Sequence, residues 1–198
     1  IELLLFEFSA RSFIPVALAC ITGAAGHHLL FEEGVVFPLS FQLQPSSNYA
    51  LLFYATMGIV IGLISVIVTK VVYWIEDVFE KLPIHWAWWP AIGGIAVGVV
   101  GFFSPRTLGV GYSNITDLLT GTMPMQVVLS LCILKFVSWA ISLGSGTSGG
   151  TLAPLLTIGG ATGALIGGIG MFWFPNSGIN IPLSVLVGMS AMFAGASR

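Results

Sequence analysis

Charge is what this sequence has least of: only 7% of its 198 residues are Asp, Glu, Lys or Arg, against about a quarter in ordinary soluble domains. With 56% hydrophobic residues and a mean hydropathy of +1.00, the chain belongs in a bilayer. The net charge is −2 and the six Lys and Arg are scattered, so the basic patch that a nucleic-acid partner needs is missing. Cysteine is scarce too. Cys20 and Cys132 both lie in apolar runs, which points to lipid-embedded or helix-packed thiols and away from a disulfide or metal pair. No segment shows the alternation of a strand, and no polar stretch interrupts the chain as a soluble domain would. An intramembrane enzyme would need ionisable groups converging at depth, and apart from Lys135 the apolar runs hold almost none. The expectation is an all-α, multi-pass integral membrane protein, with the cell membrane as its place and no enzyme activity.

What is present is a series of apolar runs of unequal length. A span needs about 20 mostly apolar residues. Phe13 to Leu30 meets that, with Ser12 and Pro15 near its start. Tyr49 to Glu80 exceeds it, and its charges Lys70, Glu76, Asp77 and Glu80 lie at the C-terminal end, as in a tilted helix that leaves the membrane as an amphipathic extension. Pro83 ends that helix. Trp86, Trp88 and Trp89 are what a membrane interface favours. A thin, Gly-rich span is expected over Ala91 to Phe103, a short helical piece near Ile115 to Leu119, and a full span from Met125 to Leu143. Pro154 to Phe174 and a short run from Leu183 to Ala196 complete the series. Unequal, glycine-interrupted segments suit transporters with broken helices better than simple bundles. The opening IELLLFEFSARSF lacks a basic n-region and an initiator Met, which argues against a signal peptide. Together with the ending MSAMFAGASR, it reads as a fragment of a larger membrane protein.

One stretch combines flexible polar backbone with an apolar helix, LGSGTSGGTLAPLLTIGGATGALIG from Leu143 to Gly167. Bare amides in lipid cost several kcal/mol, so non-helical backbone at depth must be buried in protein or face a cavity. Gly144, Gly146, Gly149 and Gly150 permit tight turns and leave N–H groups uncovered. Pro154 fits the first turn of a helix, where its missing N–H has no intrahelical partner in any case. The amides of Thr151, Leu152 and Ala153 then fall among the orphan donors of a helix N-terminus, where the macrodipole adds about half a positive charge. A desolvated anion is their natural ligand, and Ser145, Thr147 and Ser148 add hydroxyls without charge. Gly159, Gly163 and Gly167 put a smooth stripe on one helix face. The physics alone leaves two readings open, an anion site and a Gly-rich turn leading into a packed helix.

The run GSGTSGGTLAPLLTIGGATGALIG resembles the signature of the CLC family of chloride channels and chloride/proton antiporters. That signature has the form Ser-Gly-x-x-Gly-Gly-x-Phe-x-Pro and opens a helix whose amides bind the permeating anion. Gly150, Thr151, Leu152, Ala153 and Pro154 occupy the matching places, after Gly146 and Gly149, with Leu152 instead of the usual Phe. Lys135 stands where the family tends to carry a basic residue, and Pro105 with LGVGY at 108–112 resembles a family loop. VGMSAMFAGASR is similar to the next family helix. The resemblance covers essentially all 198 residues and implies a CLC-type bundle of tilted, partly re-entrant helices, part of an inverted-repeat architecture. It implies chloride or another small anion as transported ligand, no cofactor, a lipid bilayer around the chain and a homodimer with one pathway per subunit. A fluoride-selective relative is the nearest variant, and a non-transporting helical subunit is the alternative of another class. The family's first anion-binding loop, its gating Gly-Arg-Glu-Gly-Pro loop and its late tyrosine have no counterpart in this sequence, so residues 1–198 form a partial transmembrane domain.

Two further readings concern single residues. Antiporters of the family carry two consecutive acids near the place where this sequence begins. Aligned there, Glu2 takes the first position and Leu3 the second, and leucine cannot carry a proton, which favours a channel. For Glu2 the plainer reading is a helix-end carboxylate bonded to neighbouring backbone. For Lys135, a lone cation at depth must be paired, snorkel or face water. The alternatives are a contribution of positive potential to an anion path, and hydrogen bonds to backbone carbonyls or to an acid such as Asp117. His27 and His28 with Glu32 and Glu33 read as a solvated span end, since adjacent histidines point to different helix faces.

Overall fold

The computed structural model describes residues 10–30, 47–147, 149–175 and 177–197. Among them seven α-helices and two 3₁₀ turns occur and no strand. Helix α1, Ala10–Leu30, belongs to one unit and the six other helices to a second. In α1, Pro15 sits inside the helix and His27 and His28 in its last turn. The start of the helix thus lies five residues ahead of the proline that the sequence placed near it. Glu2, Leu3, Glu32 and Glu33 lie outside the described residues.

The second unit begins with α2, Asn48–Glu80, whose 33 residues extend about 50 Å at 1.5 Å per residue, well beyond a hydrocarbon core of about 30 Å. Its buried positions, among them Tyr54, Met57, Ile61, Ser65, Val68 and Val72, recur every three or four residues and form one core-facing stripe. Trp86–Trp88 is a 3₁₀ turn that runs directly into α3, Trp89–Phe103, so the third span begins in the Trp cluster and not at Ala91. His85 opens it, its Nδ1 accepting from the Ala87 N–H at 3.3 Å. Trp86 and Trp88 remain exposed. A second 3₁₀ turn, Pro105–Thr107, leads to the nine-residue α4, Tyr112–Thr120, then to α5, Met125–Gly144, and α6, Leu152–Trp173. The last helix is α7, Ile181–Ala196. Helices α1, α2, α5 and α6, and α3 together with its 3₁₀ turn, are long and apolar enough to cross a membrane; α4 and α7 are shorter. The chain is a multi-pass integral membrane protein.

The core sits where α2, α5, α6 and α7 meet, around Met57, Ile61, Leu155, Ile158 and Met192. The most intimate pair is α6 and α7. A Cβ on Gly159 would lie 2.6 Å from the Gly188 carbonyl oxygen, and one on Gly163 would collide with the Ser184 carbonyl. The glycine stripe on α6 is therefore a backbone-to-backbone seam. Two polar ties hold α7 to α2: the Asn180 N–H donates to the Tyr54 hydroxyl at 2.7 Å and the Ser65 hydroxyl to the Met192 carbonyl at 2.9 Å. The first satisfies the N–H of Asn180 just ahead of α7, where a helix leaves such groups without partners; the second adds a donor to a carbonyl in the last turns of the helix. The thiol of Cys132 packs on α6, 3.5 Å from the Thr162 hydroxyl.

Candidate functional site

The site is built at the junction of α5 and α6. Helix α5 ends at Gly144, where a Cβ would come within 2.6 Å of Ile75 and 3.2 Å of the Glu76 nitrogen. The chain then turns at Gly146, whose φ of +75° suits glycine. The fully buried Ser145 hydroxyl donates to the Ser142 carbonyl at 2.7 Å and lies 3.0 Å from the Thr147 hydroxyl. Its hydrogen bonds fold the loop, which removes one of the three hydroxyls the sequence offered to a ligand. Ser148 is outside the described residues.

Gly149 and Gly150 are exposed, have no positive φ, and a Cβ on either would meet nothing within 4 Å. Neither backbone conformation nor packing within the described protein calls for glycine there. With no Cβ at 149 or 150, neither residue places a side chain in front of the start of α6. Thr151 is the N-cap of α6, with φ −98° and ψ −30°, and its hydroxyl makes no cap hydrogen bond. The Thr151 carbonyl accepts from the Leu155 N–H at 3.1 Å. Among the described residues no acceptor faces the N–H groups of Thr151, Leu152 or Ala153. Thr151 and Leu152 are exposed and Ala153 is buried.

Pro154 is the third residue of α6 and not its first. The helix starts two residues earlier than the proline suggested because the missing N–H of a proline is harmless anywhere in the first turn. Leu152 and Ala153, both good helix formers, extend it back to the loop. The donors proposed from the sequence are therefore brought together on one helix end.

Lys135 is placed elsewhere. It is buried on α5, and its Nζ donates to the Thr107 carbonyl at 2.7 Å and the Gly109 carbonyl at 2.9 Å. Backbone carbonyls, one of the two structural partners weighed from the sequence, are what it finds. Asp117 pairs with Arg106 at 3.0 Å instead, on the exposed side of the same loop. Asn114, also buried, donates to the Arg106 carbonyl at 2.7 Å, and the Thr107 hydroxyl to the Ser104 carbonyl at 2.7 Å. The loop between α3 and α4 is thus tied by side chains from α4 and α5.

Against known proteins, the whole chain, residues 1–198, matches the family described as voltage gated chloride channel. The chain belongs to the CLC family. It is similar to the voltage-gated ClC-type chloride channels ClcB of Escherichia coli O17:K52:H18 (strain UMN026 / ExPEC) and of Escherichia coli (strain K12 / DH10B). Identity to each is 27% over 200 aligned residues, covering all of this chain and 47% of the relative. The chain spans about half the length of the curated relatives it matches. Within this CLC chain, sequence reasoning overlooked Asn114 and Arg106 as loop ties. The signal was a polar residue three positions after Gly111 at the head of a short helix, but its partner carbonyl is eight residues upstream in irregular chain and follows no period.

Proposed function

We propose that this chain supplies one part of a transmembrane chloride pathway, with the anion held by the main-chain N–H groups at the start of α6. Thr151, Leu152 and Ala153 carry the donors, Gly149 and Gly150 keep the approach free of side chains, and Gly146 and Pro154 set the turn and the first helical turn. Partial charges on amides hold an anion and let it go, whereas a full cationic contact would trap it. Lys135 adds positive potential from behind the α3–α4 loop without touching the anion. The observation that carries this is the cluster of amides that find no acceptor among the described residues, behind two glycines that the described fold does not require. The rest of the anion's shell comes from the part of the family's length that residues 1–198 do not span, in a homodimer with one pathway per subunit.

Leu3, at the position of the second acid in proton-coupled relatives, favours a channel. Chloride efflux from liposomes containing the full-length protein tests transport, and a folded protein without flux would sink it. Proton movement recorded in the same vesicles separates channel from antiporter: a fixed chloride-to-proton ratio would overturn the channel assignment, and stronger efflux of fluoride than chloride would overturn the chloride assignment.

A further inference from the structure

We propose that Lys135 is a positioning residue: its ammonium, acting as a tethered cation in a cradle of main-chain carbonyls, locks the 104–111 loop against α5 and so keeps α4 seated on α6. An ammonium has three donors and no acceptor. Two of them are used at short range, on Thr107 and Gly109, in a residue only 5% exposed. The carbonyls converge on it because Gly109 and Gly111 take φ of +70° and +87°, folding the chain around the ammonium where an extended loop would run past it.

The lock is next to α6. A Cβ on Gly111 would lie 3.8 Å from Lys135 Nζ and 3.5 Å from the Thr157 hydroxyl. Thr157, fully buried, donates in turn to the Ala153 carbonyl at 2.8 Å, in the first turn of α6. Gly111 is also the N-cap of α4, which packs on α6 and α7. Lys135 Nζ and the Thr157 hydroxyl therefore flank the same side of Gly111, and Thr157 is bonded to the residue that carries one of the proposed anion-binding amides. The functional half of this inference rests on the anion reading of α6. The loop half does not.

Both halves are read in the full-length protein by comparing Lys135→Met, which keeps the apolar stem but removes the donors, with Lys135→Arg, which keeps donors and charge. Hydrogen exchange of the 104–112 amides follows the loop, and calorimetry with chloride follows the site. Losing buried, charge-assisted bonds of this kind is worth a factor of about ten or more. Lys135→Met is expected to speed exchange in 104–112 by about that factor and to weaken chloride binding about tenfold, while Lys135→Arg stays within about threefold of the parent in both. If Lys135→Met does not fold, Gly109→Ala serves. It has open space for the methyl but strains the φ of +70°, moving the accepting carbonyl from the other side, and is expected to give the same pair of effects. Unchanged exchange in the loop would overturn the proposal, and weakened chloride binding with an unchanged loop would mean that the charge acts through space. A freed loop with unaltered chloride binding would overturn the link to α6. A parent protein that binds no chloride would contradict the anion reading, and the exchange data would still decide whether Lys135 holds the loop.

Discussion

Two glycine-bearing loops of this chain do opposite things with their backbone. The 104–111 loop has its carbonyls gathered onto Lys135, Asn114 and the Thr107 hydroxyl, and its left-handed glycines make that gathering possible. The 145–151 loop turns the Ser145 hydroxyl onto itself and then delivers Thr151, Leu152 and Ala153 with their N–H groups meeting no acceptor among the described residues. In the first loop the chain's own side-chain donors meet four carbonyls, those of Ser104, Arg106, Thr107 and Gly109. The second offers donors. Glycine content does not separate the two, since both loops are rich in glycine; what differs is that side chains of α4 and α5 tie the carbonyls of the first, in a medium that punishes unpaired polar groups.

The sharpest way to break the comparison is to move the helix that carries the second loop. Gly163→Leu forces a side chain into the Ser184 carbonyl and should cost about 3 kcal/mol, the upper end for overpacking, because the obstacle is backbone and cannot turn aside. Thermal denaturation of the purified protein in detergent checks this. A variant melting with the parent would mean that α6 and α7 do not pack as described. Loosening the first loop should cost less. Asn114→Ala leaves the Arg106 carbonyl without its 2.7 Å donor and should destabilise by about 1–3 kcal/mol; an unchanged melting temperature would refute that tie. Smallest of all, Arg106→Ala removes an ion pair whose partners are 53% and 38% exposed and should change stability by no more than about 1 kcal/mol. A larger loss in the same assay would show that the pair anchors the loop as Lys135 does.

Much of the fold was legible in the sequence because membrane spans declare themselves by length and apolarity. The long α2, the 125–144 span and the short α4 lie within a few residues of where the apolar runs put them. The glycine stripe at 159, 163 and 167 meets another helix as its spacing implied. Boundaries were less legible where two signals compete: Trp89 begins α3 although the span was expected from Ala91, after the interfacial tryptophans, and α6 begins at Leu152 although proline suggested 154. At the candidate site, chain-local rules of helix ends put Thr151, Leu152 and Ala153 at a helix start, which is where they lie. It could not tell which hydroxyl would be spent on the loop, nor which acceptors Lys135 would find. Thr107 and Gly109 are 28 and 26 residues away along the chain, and only the packing of α3, α4 and α5 brings them to it.

In the proposed site, main-chain amides and not side chains hold the anion at the start of α6. Chloride titration of the full-length protein by calorimetry, comparing Thr151→Ala with Gly150→Leu, tests it most directly. The space around Gly150 is open and its φ is not left-handed, so both variants should fold. Binding should stay within about twofold of the parent for Thr151→Ala and fall about 100-fold or more for Gly150→Leu, whose side chain covers the amides at a cost near 2.7 kcal/mol. Equal losses in the two variants, or full binding in Gly150→Leu, would contradict it.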